Sequence, residues 1–337
     1  MDDQGNPGGS HRGDGLGMAG GLLIPHGRGS VTQGWRKVVI VGTGQVGVAC
    51  ALTMAVRQRA DELVLIDADG LRAEGEALDL QHGLPFGEPL RVRAGGYGDA
   101  VGAQVVVITA GARRGPDESR LVLLKKNAAT LRAIVGELTS VCSEAVWVVV
   151  SNPVDVMSYY AWKWSGLPKE RVVGSGTLLD MARWQGILAQ NLGVAASSIQ
   201  APVLGEHGDK AVPLWSRVTV GGAPWEIPTS EREALWNQVL RAGQEVIRRK
   251  GNTSSGIALA VDHLVGAILG HQERVLPVSC LAQGYYGLGE VYLSLLTVVN
   301  RQGVARVVNL PLNEQEYQGL QAAAQVLQQA QADLSGS

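Results

Sequence analysis

At 337 residues the chain has room for two domains of ordinary size, or for one large α/β unit with a second lobe, and either can bury a core. Hydrophobic residues make up 45% and charged residues 18% with a formal net charge of −2, which leaves no basic field for nucleic acid. No apolar run approaches the roughly 20 residues of a membrane helix, and the three cysteines, Cys50, Cys142 and Cys280, lie scattered in apolar runs. They form neither a disulfide framework nor a metal site, and a reducing cytoplasm is the expected location.

Residues 1–34 are Gly-rich without helical or strand period and are expected to be disordered; the short apolar stretch 18–25 is broken by glycine and reads as leader, not signal peptide. From Lys37 the character changes. Val38, Val39, Ile40 and Val41 form a continuous apolar run suited to a strand covered on both faces, and 63–66, 105–108 and 146–150 repeat the pattern. Helix-length segments at 46–59 and 121–141 alternate with them, which predicts a Rossmann-type doubly wound parallel sheet over 35–174. After Pro153 the signals mix: helices at 178–191 and 230–249, and strand-like pieces around Val203 and Val218. A second, α+β substrate and catalytic domain is expected over 175–331, closing with a helix at 313–329 that opens Asn-Glu-Gln-Glu.

Directly after the first strand comes Gly42-Thr43-Gly44-Gln45-Val46-Gly47, a G-x-G-x-x-G that opens a helix. The motif alone is weak, but a second strand ends at Asp67, twenty residues beyond Gly47. Glycines let the backbone approach a pyrophosphate, the helix N-terminus favours anions, and Asp67 can accept from a ribose 2′-hydroxyl. A carboxylate there repels a 2′-phosphate, so NAD is expected rather than NADP.

Tyr159 and Lys163 form a Y-x-x-x-K pair, the spacing that lowers a catalytic tyrosine's pKa in short-chain dehydrogenases. The glycine pattern of that group, G-x-x-x-G-x-G, is not the one at Gly42 to Gly47. With Trp162 and Trp164 beside them, the two are expected to pack as a helix face on the core.

The segment Gly205-Glu206-His207-Gly208-Asp209 puts a histidine in a glycine-flanked polar loop after an apolar strand. Upstream, Asp180 and Arg183 lie three residues apart, hence on one helix face. Singly these are ordinary solvated side chains. Together they supply an acid that can orient an imidazole and an arginine that can grip a carboxylate, which hydride transfer to a 2-oxo acid requires.

The strings EALDLQHG at Glu76, TAGARRGPDESR at Thr109, SNPVD at Ser151, SGTLLDMAR at Ser175, GEHGD at Gly205 and VYLSLLTVVN at Val291 stand in one order. With the glycine motif, they make the chain from about Trp35 to Leu327 resemble the L-lactate/malate dehydrogenase superfamily. The resemblance implies that His207 is the general acid/base, that Asp180 holds its tautomer, and that Arg183 clamps the C1 carboxylate. It implies that Arg120 rides on a closing loop and polarises the C2 carbonyl, that Asn152 sits near carbonyl and nicotinamide, and that Thr253 lines the substrate pocket. Carried over with the cofactor are Gly42, Gly44, Val46, Gly47, Asp67, Arg72, Tyr97, Gly111, Ala112, Asn152 and Ser175. No metal is implied. A homodimer, or a tetramer built from dimers, working in central carbon metabolism is.

In the family, substrate choice turns on the residue six positions before the loop arginine, here Arg114: Gln is usual in lactate enzymes and Arg in malate enzymes. A guanidinium would pair the second carboxylate of oxaloacetate and would face nothing with pyruvate. Malate dehydrogenase is therefore expected first, and L-lactate dehydrogenase or a dual enzyme second. SGTLLDMAR, Thr253 in KGNTSSG, and VSCLAQGYYGL at Val278 resemble bacterial lactate dehydrogenases and pull the other way. A non-catalytic NAD-binding protein is the alternative of another class; keeping His207, Asp180, Arg183 and Arg120 together argues against it.

Many bacterial lactate dehydrogenases bind fructose 1,6-bisphosphate through an Arg two residues after the substrate clamp and a His seven before the catalytic His. Those positions here are Gln185 and Gln200. Without cationic partners the bisphosphate has little to hold it. Adding it should leave the steady-state rate unchanged, and a rise in rate would refute the expectation.

Overall fold

In a computed structural model, residues 34–112 and 120–335 are described, so the expectation for the leader and the placement of Arg114 lie outside the described residues. Six strands are parallel: β1 (Lys37–Val41), β2 (Glu62–Ile66), β3 (Arg91–Ala94), β4 (Val105–Ile108), β5 (Val146–Val149) and β6 (Val172–Gly174). Helices α1 (Gln45–Val56), α2 (Gly70–Gly83), α3 (Arg120–Thr139) and α4 (Val154–Ser165) follow β1, β2, β4 and β5. The order β3-β2-β1-β4-β5-β6 is doubly wound, and the crevice opens where the order reverses, between β1 and β4. Because helices cover both faces, the central strands carry no polar alternation; all four residues of β4 and of β5 are buried.

Beyond β6 come α5 (Leu178–Leu192), β7 (Ile199–Gln200), β8 (Val203–Gly205), β9 (Ala211–Pro213), β10 (Thr219–Val220) and β11 (Ala223–Pro224). Then follow α6 (Thr229–Lys250), α7 (Ser255–Leu269), β12 (Arg274–Leu281), β13 (Tyr292–Asn300), β14 (Gly303–Val307) and α8 (Glu314–Ser335). β12 pairs antiparallel with β6 and carries the sheet on through β13, β8 and β9, with β14 on β13; β11, β10 and β7 form a small separate sheet. A parallel N-terminal half therefore runs into a C-terminal α/β half through backbone hydrogen bonds between strands.

The expected strands and long helices are present, and the differences have local causes. The first helix stops at Val56 instead of 59 because Gln58 takes φ +55 and the Arg59 N–H turns back to the Met54 carbonyl. β3 carries no apolar run: it is an edge strand in which only Val92 is buried, while Arg93 pairs with Glu62 and Asp99. The last helix starts where expected. The Asn313 side chain accepts from the Glu316 N–H at 2.9 Å and Glu316 accepts from the Asn313 N–H at 3.1 Å, a reciprocal cap.

Two packing features hold the site's elements. Trp184 on α5 meets Trp215 and Trp236 edge-on at 5.4 and 5.7 Å, forming a second small core that binds α5 to α6. α7 packs along α1, and its fully buried Asp262 accepts from Arg59 at 2.9 and 3.0 Å and from Arg57 at 3.1 Å. Asp262→Ala would leave two guanidiniums without their carboxylate. Because both arginines reach solvent in part, a loss of about 2–3 kcal/mol is expected, at the low end for a broken buried pair. Denaturant unfolding should show a lower midpoint at unchanged slope, and an unaltered midpoint would contradict this.

Candidate active site

The glycine turn meets three separate steric demands. Gly42 has φ +101 and any Cβ there would meet the Ala110 nitrogen at 2.6 Å, while a Cβ on Gly47 would run into the Gly42 carbonyl oxygen. Gly44 faces open space, with nothing within 4 Å. The first and third glycines thus serve close packing, and the second leaves room for a ligand against the N-terminus of α1. Asp67 follows β2 by one residue. Its Oδ2 accepts from the Thr43 N–H at 2.6 Å and hydroxyl at 2.9 Å, and its Oδ1 accepts from the Asp69 N–H at 3.0 Å. Burial opposes the charge, but these donors and the nearby Arg72 hold the carboxyl below its usual range; Tyr97 also feels the charge of Asp67. Gly44, Val46, Gly47, Gly111, Ala112, Asn152 and Thr253 line one cleft of about 700 Å³. An open glycine and a helix N-terminus in the cleft, with the Asp67 carboxylate held on the neighbouring Thr43, fit a dinucleotide such as NAD. Ser175, just after β6, is buried, and its N–H donates to Val149.

The second cluster is assembled by the start of α5. The Thr177 hydroxyl donates to the Val203 carbonyl on β8 at 2.6 Å, and its N–H donates to Ser294 on β13 at 2.9 Å. A Cβ on Gly176 would strike the Ser294 hydroxyl, so only glycine lets the helix dock this closely. β8 then delivers His207 opposite the first turn of α5. Its Nδ1 lies 2.6 Å from Asp180 Oδ2, and Arg183 donates to Asp180 Oδ1 at 2.8 Å. Among the described residues, His207 Nε2 has no hydrogen-bond partner, and 27% of the side chain is exposed. Burial disfavours the imidazolium, but Asp180, and more weakly Asp155, outweigh it against Arg183, so the ring's pKa is raised. Asp180 is lowered: burial opposes its charge, and His207 and Arg183 prevail. Such a group can hand a proton from Nε2 to a bound oxygen while its carboxylate partner holds the tautomer.

Arg120 opens α3, and its side chain lies outside the described residues, as does Arg114. Tyr159, with Trp162 and Trp164, packs on the core as expected, whereas Lys163 stands exposed at the surface. Tyr159 and Lys163 both donate to Glu290, at 2.9 and 2.7 Å, and burial pushes the Tyr159 hydroxyl up to about 12, opposite to what a catalytic tyrosine needs. The Gln185 side chain donates to the Ile199 carbonyl, beside Gln200. Several cleft residues escaped the sequence reading, and Asn127 is the one that ties the cleft's loops together. Buried Asn127 on α3 accepts from the Ala112 N–H and donates to the Asn152 carbonyl, each at 2.7 Å. Its only sequence signal was a lone amide among the largely apolar and basic residues of the helix's first half.

Residues 36–174 match the lactate/malate dehydrogenase NAD binding domain, and residues 177–334 match the lactate/malate dehydrogenase alpha/beta C-terminal domain. The chain is 46% identical over 298 residues to an L-lactate dehydrogenase of Synechococcus sp. (strain JA-3-3Ab), covering 87% of this chain and 97% of that protein. It is 47% identical over 302 residues to an L-lactate dehydrogenase of Gloeobacter violaceus, covering 87% and 92%. Among solved structures, a lactate dehydrogenase from a Medee basin deep-sea metagenome library superposes with a TM-score of 0.86 at 41% identity, over 89% of this chain and 99% of that one.

These relatives overturn the expectation of malate dehydrogenase. That expectation rested on Arg114 alone, against likeness spread over some 300 aligned residues to proteins named for lactate. A guanidinium discriminates only where the loop seats it opposite the substrate, and its residue type does not fix that seat.

Because His207's pKa is raised in the folded state, the stabilisation from its pair with Asp180 is complete below the free imidazole's pKa. It is lost as pH rises through the raised value. In 13C-histidine NMR the His207 ring should titrate above an ordinary histidine, and in Asp180→Asn below its wild-type position. Coincident titrations would remove Asp180 as the cause.

Proposed function

The chain belongs to the lactate/malate dehydrogenase family, whose members' NAD-dependent 2-hydroxy acid chemistry it shares, and we propose that it is an L-lactate dehydrogenase interconverting pyruvate and L-lactate. The observation that carries the chemistry is the 2.6 Å contact between His207 Nδ1 and Asp180 Oδ2, with Nε2 left for a substrate. The substrate assignment is supported by relatives 38–47% identical that are named L-lactate dehydrogenase.

When bound, NAD supplies the hydride carrier. Gly42, Gly44, Val46 and Gly47 would take the pyrophosphate side; Asp67, with Arg72 and Tyr97 near it, the adenosine ribose; Gly111, Ala112, Asn152 and Ser175 the nicotinamide side. Arg183 grips the C1 carboxylate with the guanidinium N–H groups that Asp180 leaves unused, and Asn152 and Thr253 bound the pocket. In pyruvate reduction, His207 would give its Nε2 proton to the C2 oxygen, and Asp180 would stabilise the imidazolium beforehand. Arg120, at the start of α3, would polarise the C2 carbonyl.

In this reading 35–174 hold most of the cofactor and supply Arg120, and 175–331 supply Asp180, Arg183 and His207, with Ser175 at the junction. A cytoplasmic location is supported by three free, buried cysteines. Assembly as a homodimer or homotetramer is supported by Leu71, Leu78 and Phe86, exposed on and just after α2. No described helix is long and apolar enough to cross a membrane.

Steady-state NADH oxidation with pyruvate and oxaloacetate side by side should give the higher kcat/KM with pyruvate, and a preference for oxaloacetate would overturn the assignment. His207→Gln should cut kcat by roughly 10²–10⁴ while NADH still binds; an active variant would remove His207 from the chemistry.

A further inference from the structure

We propose that Arg57, Arg59 and Arg274, gathered where the end of α1 meets α7 and β12, form a binding site for a dianionic phosphate group. The site is independent of the pyruvate assignment. Arg57 and Arg59 lie just past α1, and both donate to Asp262 on α7. Arg57 Nη1 reaches Oδ2 at 3.1 Å, while Arg59 Nε and Nη2 reach Oδ1 and Oδ2 at 2.9 and 3.0 Å. Asp262 is fully buried, so its carboxylate is held by packing and fixes the two guanidiniums in turn. The Arg59 guanidinium lies against α7 at Gly266, where a Cβ would stand 3.0 Å from its Cζ and 3.1 Å from its Nη1. Arg274 opens β12 and brings its Nη1 to 3.2 and 3.0 Å from the two ring nitrogens of His263, the residue after Asp262.

The charges in this cluster do not balance. Three guanidiniums share one carboxylate, and among the described residues none of the three pairs with another acid; Glu273, beside Arg274 in the chain, forms no ion pair with them. Donors are left over as well. Among the described residues, Arg57 keeps Nε and Nη2, Arg59 keeps Nη1, and Arg274 keeps Nε and Nη2. The Arg57 and Arg59 side chains are 47% and 27% exposed and Arg274 is exposed, so a ligand can reach them. His263 registers the excess. Burial first, then Arg274, Arg59 and more weakly Arg57, hold its imidazole below the usual histidine range against the pull of Asp262.

Guanidiniums held in fixed positions suit phosphate, whose oxygens a planar fork binds two at a time. A carboxylate ligand would bring one charge and two oxygens, whereas three guanidiniums less one carboxylate leave two positive charges to be met. The cluster also stands away from the cleft. Gln45 and Val46 at the start of α1, and Asn252 and Thr253 just before α7, line the cleft, while the arginines lie toward the far ends of both helices. An anion there would draw α1, α7 and β12 together without touching substrate or cofactor. Its occupancy should therefore show in stability and leave turnover alone.

Calorimetric titration of the full chain with inorganic phosphate and, separately, with glucose 6-phosphate tests the site. Saturating NADH fills the cofactor cleft, chloride holds the ionic strength constant, and a pH of about 8 keeps the phosphate doubly charged. Saturable binding is expected, weakened roughly tenfold or more in Arg57→Gln and in Arg274→Gln. At ten times the dissociation constant the wild-type melting temperature should rise by roughly 2–4 °C, with kcat for pyruvate reduction within twofold. Tighter binding of the ester identifies a phosphorylated metabolite as the ligand, and tighter binding of inorganic phosphate identifies the free ion. No saturable binding of either, or binding that both variants leave unchanged, overturns the proposal. Should the variants not fold, His263 of the wild-type protein decides. In 13C-histidine NMR its ring should titrate at higher pH in sulfate, which stays dianionic throughout, than in chloride of equal ionic strength, because the anion offsets Arg274, Arg59 and Arg57. Titrations that coincide in the two salts overturn the proposal.

Discussion

The structure turns on the approach of α5 to β8. Thr177 ties the helix's first residues to the Val203 carbonyl, and Gly176 allows it by having no Cβ to strike Ser294. That contact brings Asp180 to His207 across 27 residues of chain. Neither residue alone has unusual chemistry. A carboxylate with one oxygen on an imidazole and the other on a guanidinium, largely out of water, raises the proton affinity of the imidazole and has its own lowered, despite the burial that opposes both charges.

The parallel half supplies the complementary surface. Its glycine turn places α1's N-terminus at the mouth of a cleft that reaches, along the edge of β5 and the turn before α4, to Asn152. The two halves share one sheet through β6 and β12, so the cofactor side and the acid/base side are registered to one another by backbone hydrogen bonds. That arrangement holds the glycine-turn cleft and the His207–Asp180 pair within one continuous sheet framework.

Substrate choice was the place where local chemistry misled. Arg114 invites pairing with a second carboxylate, and in isolation the inference is sound physics. Specificity, however, is a difference between two closed states, set by where the loop seats the guanidinium and by everything else that lines the pocket. SGTLLDMAR, Thr253 and VSCLAQGYYGL already pointed toward lactate enzymes, and the relatives agree with them rather than with the single arginine.

What the sequence alone determined was whatever is local: continuous apolar runs for strands buried on both faces, the glycine turn with Asp67 twenty residues on, the Asn313 cap of α8, and Asp180 with Arg183 one turn apart. These follow from periodicity, backbone sterics and helix geometry, which act over a few residues. Only the tertiary structure decided that β3 forms at the sheet's edge with charged residues, that Asn127 bridges Ala112 and Asn152, and that Asp155 accepts from His207 52 residues away. Such contacts depend on close packing between elements far apart in the chain, and a buried polar side chain shows its partner only once that packing exists.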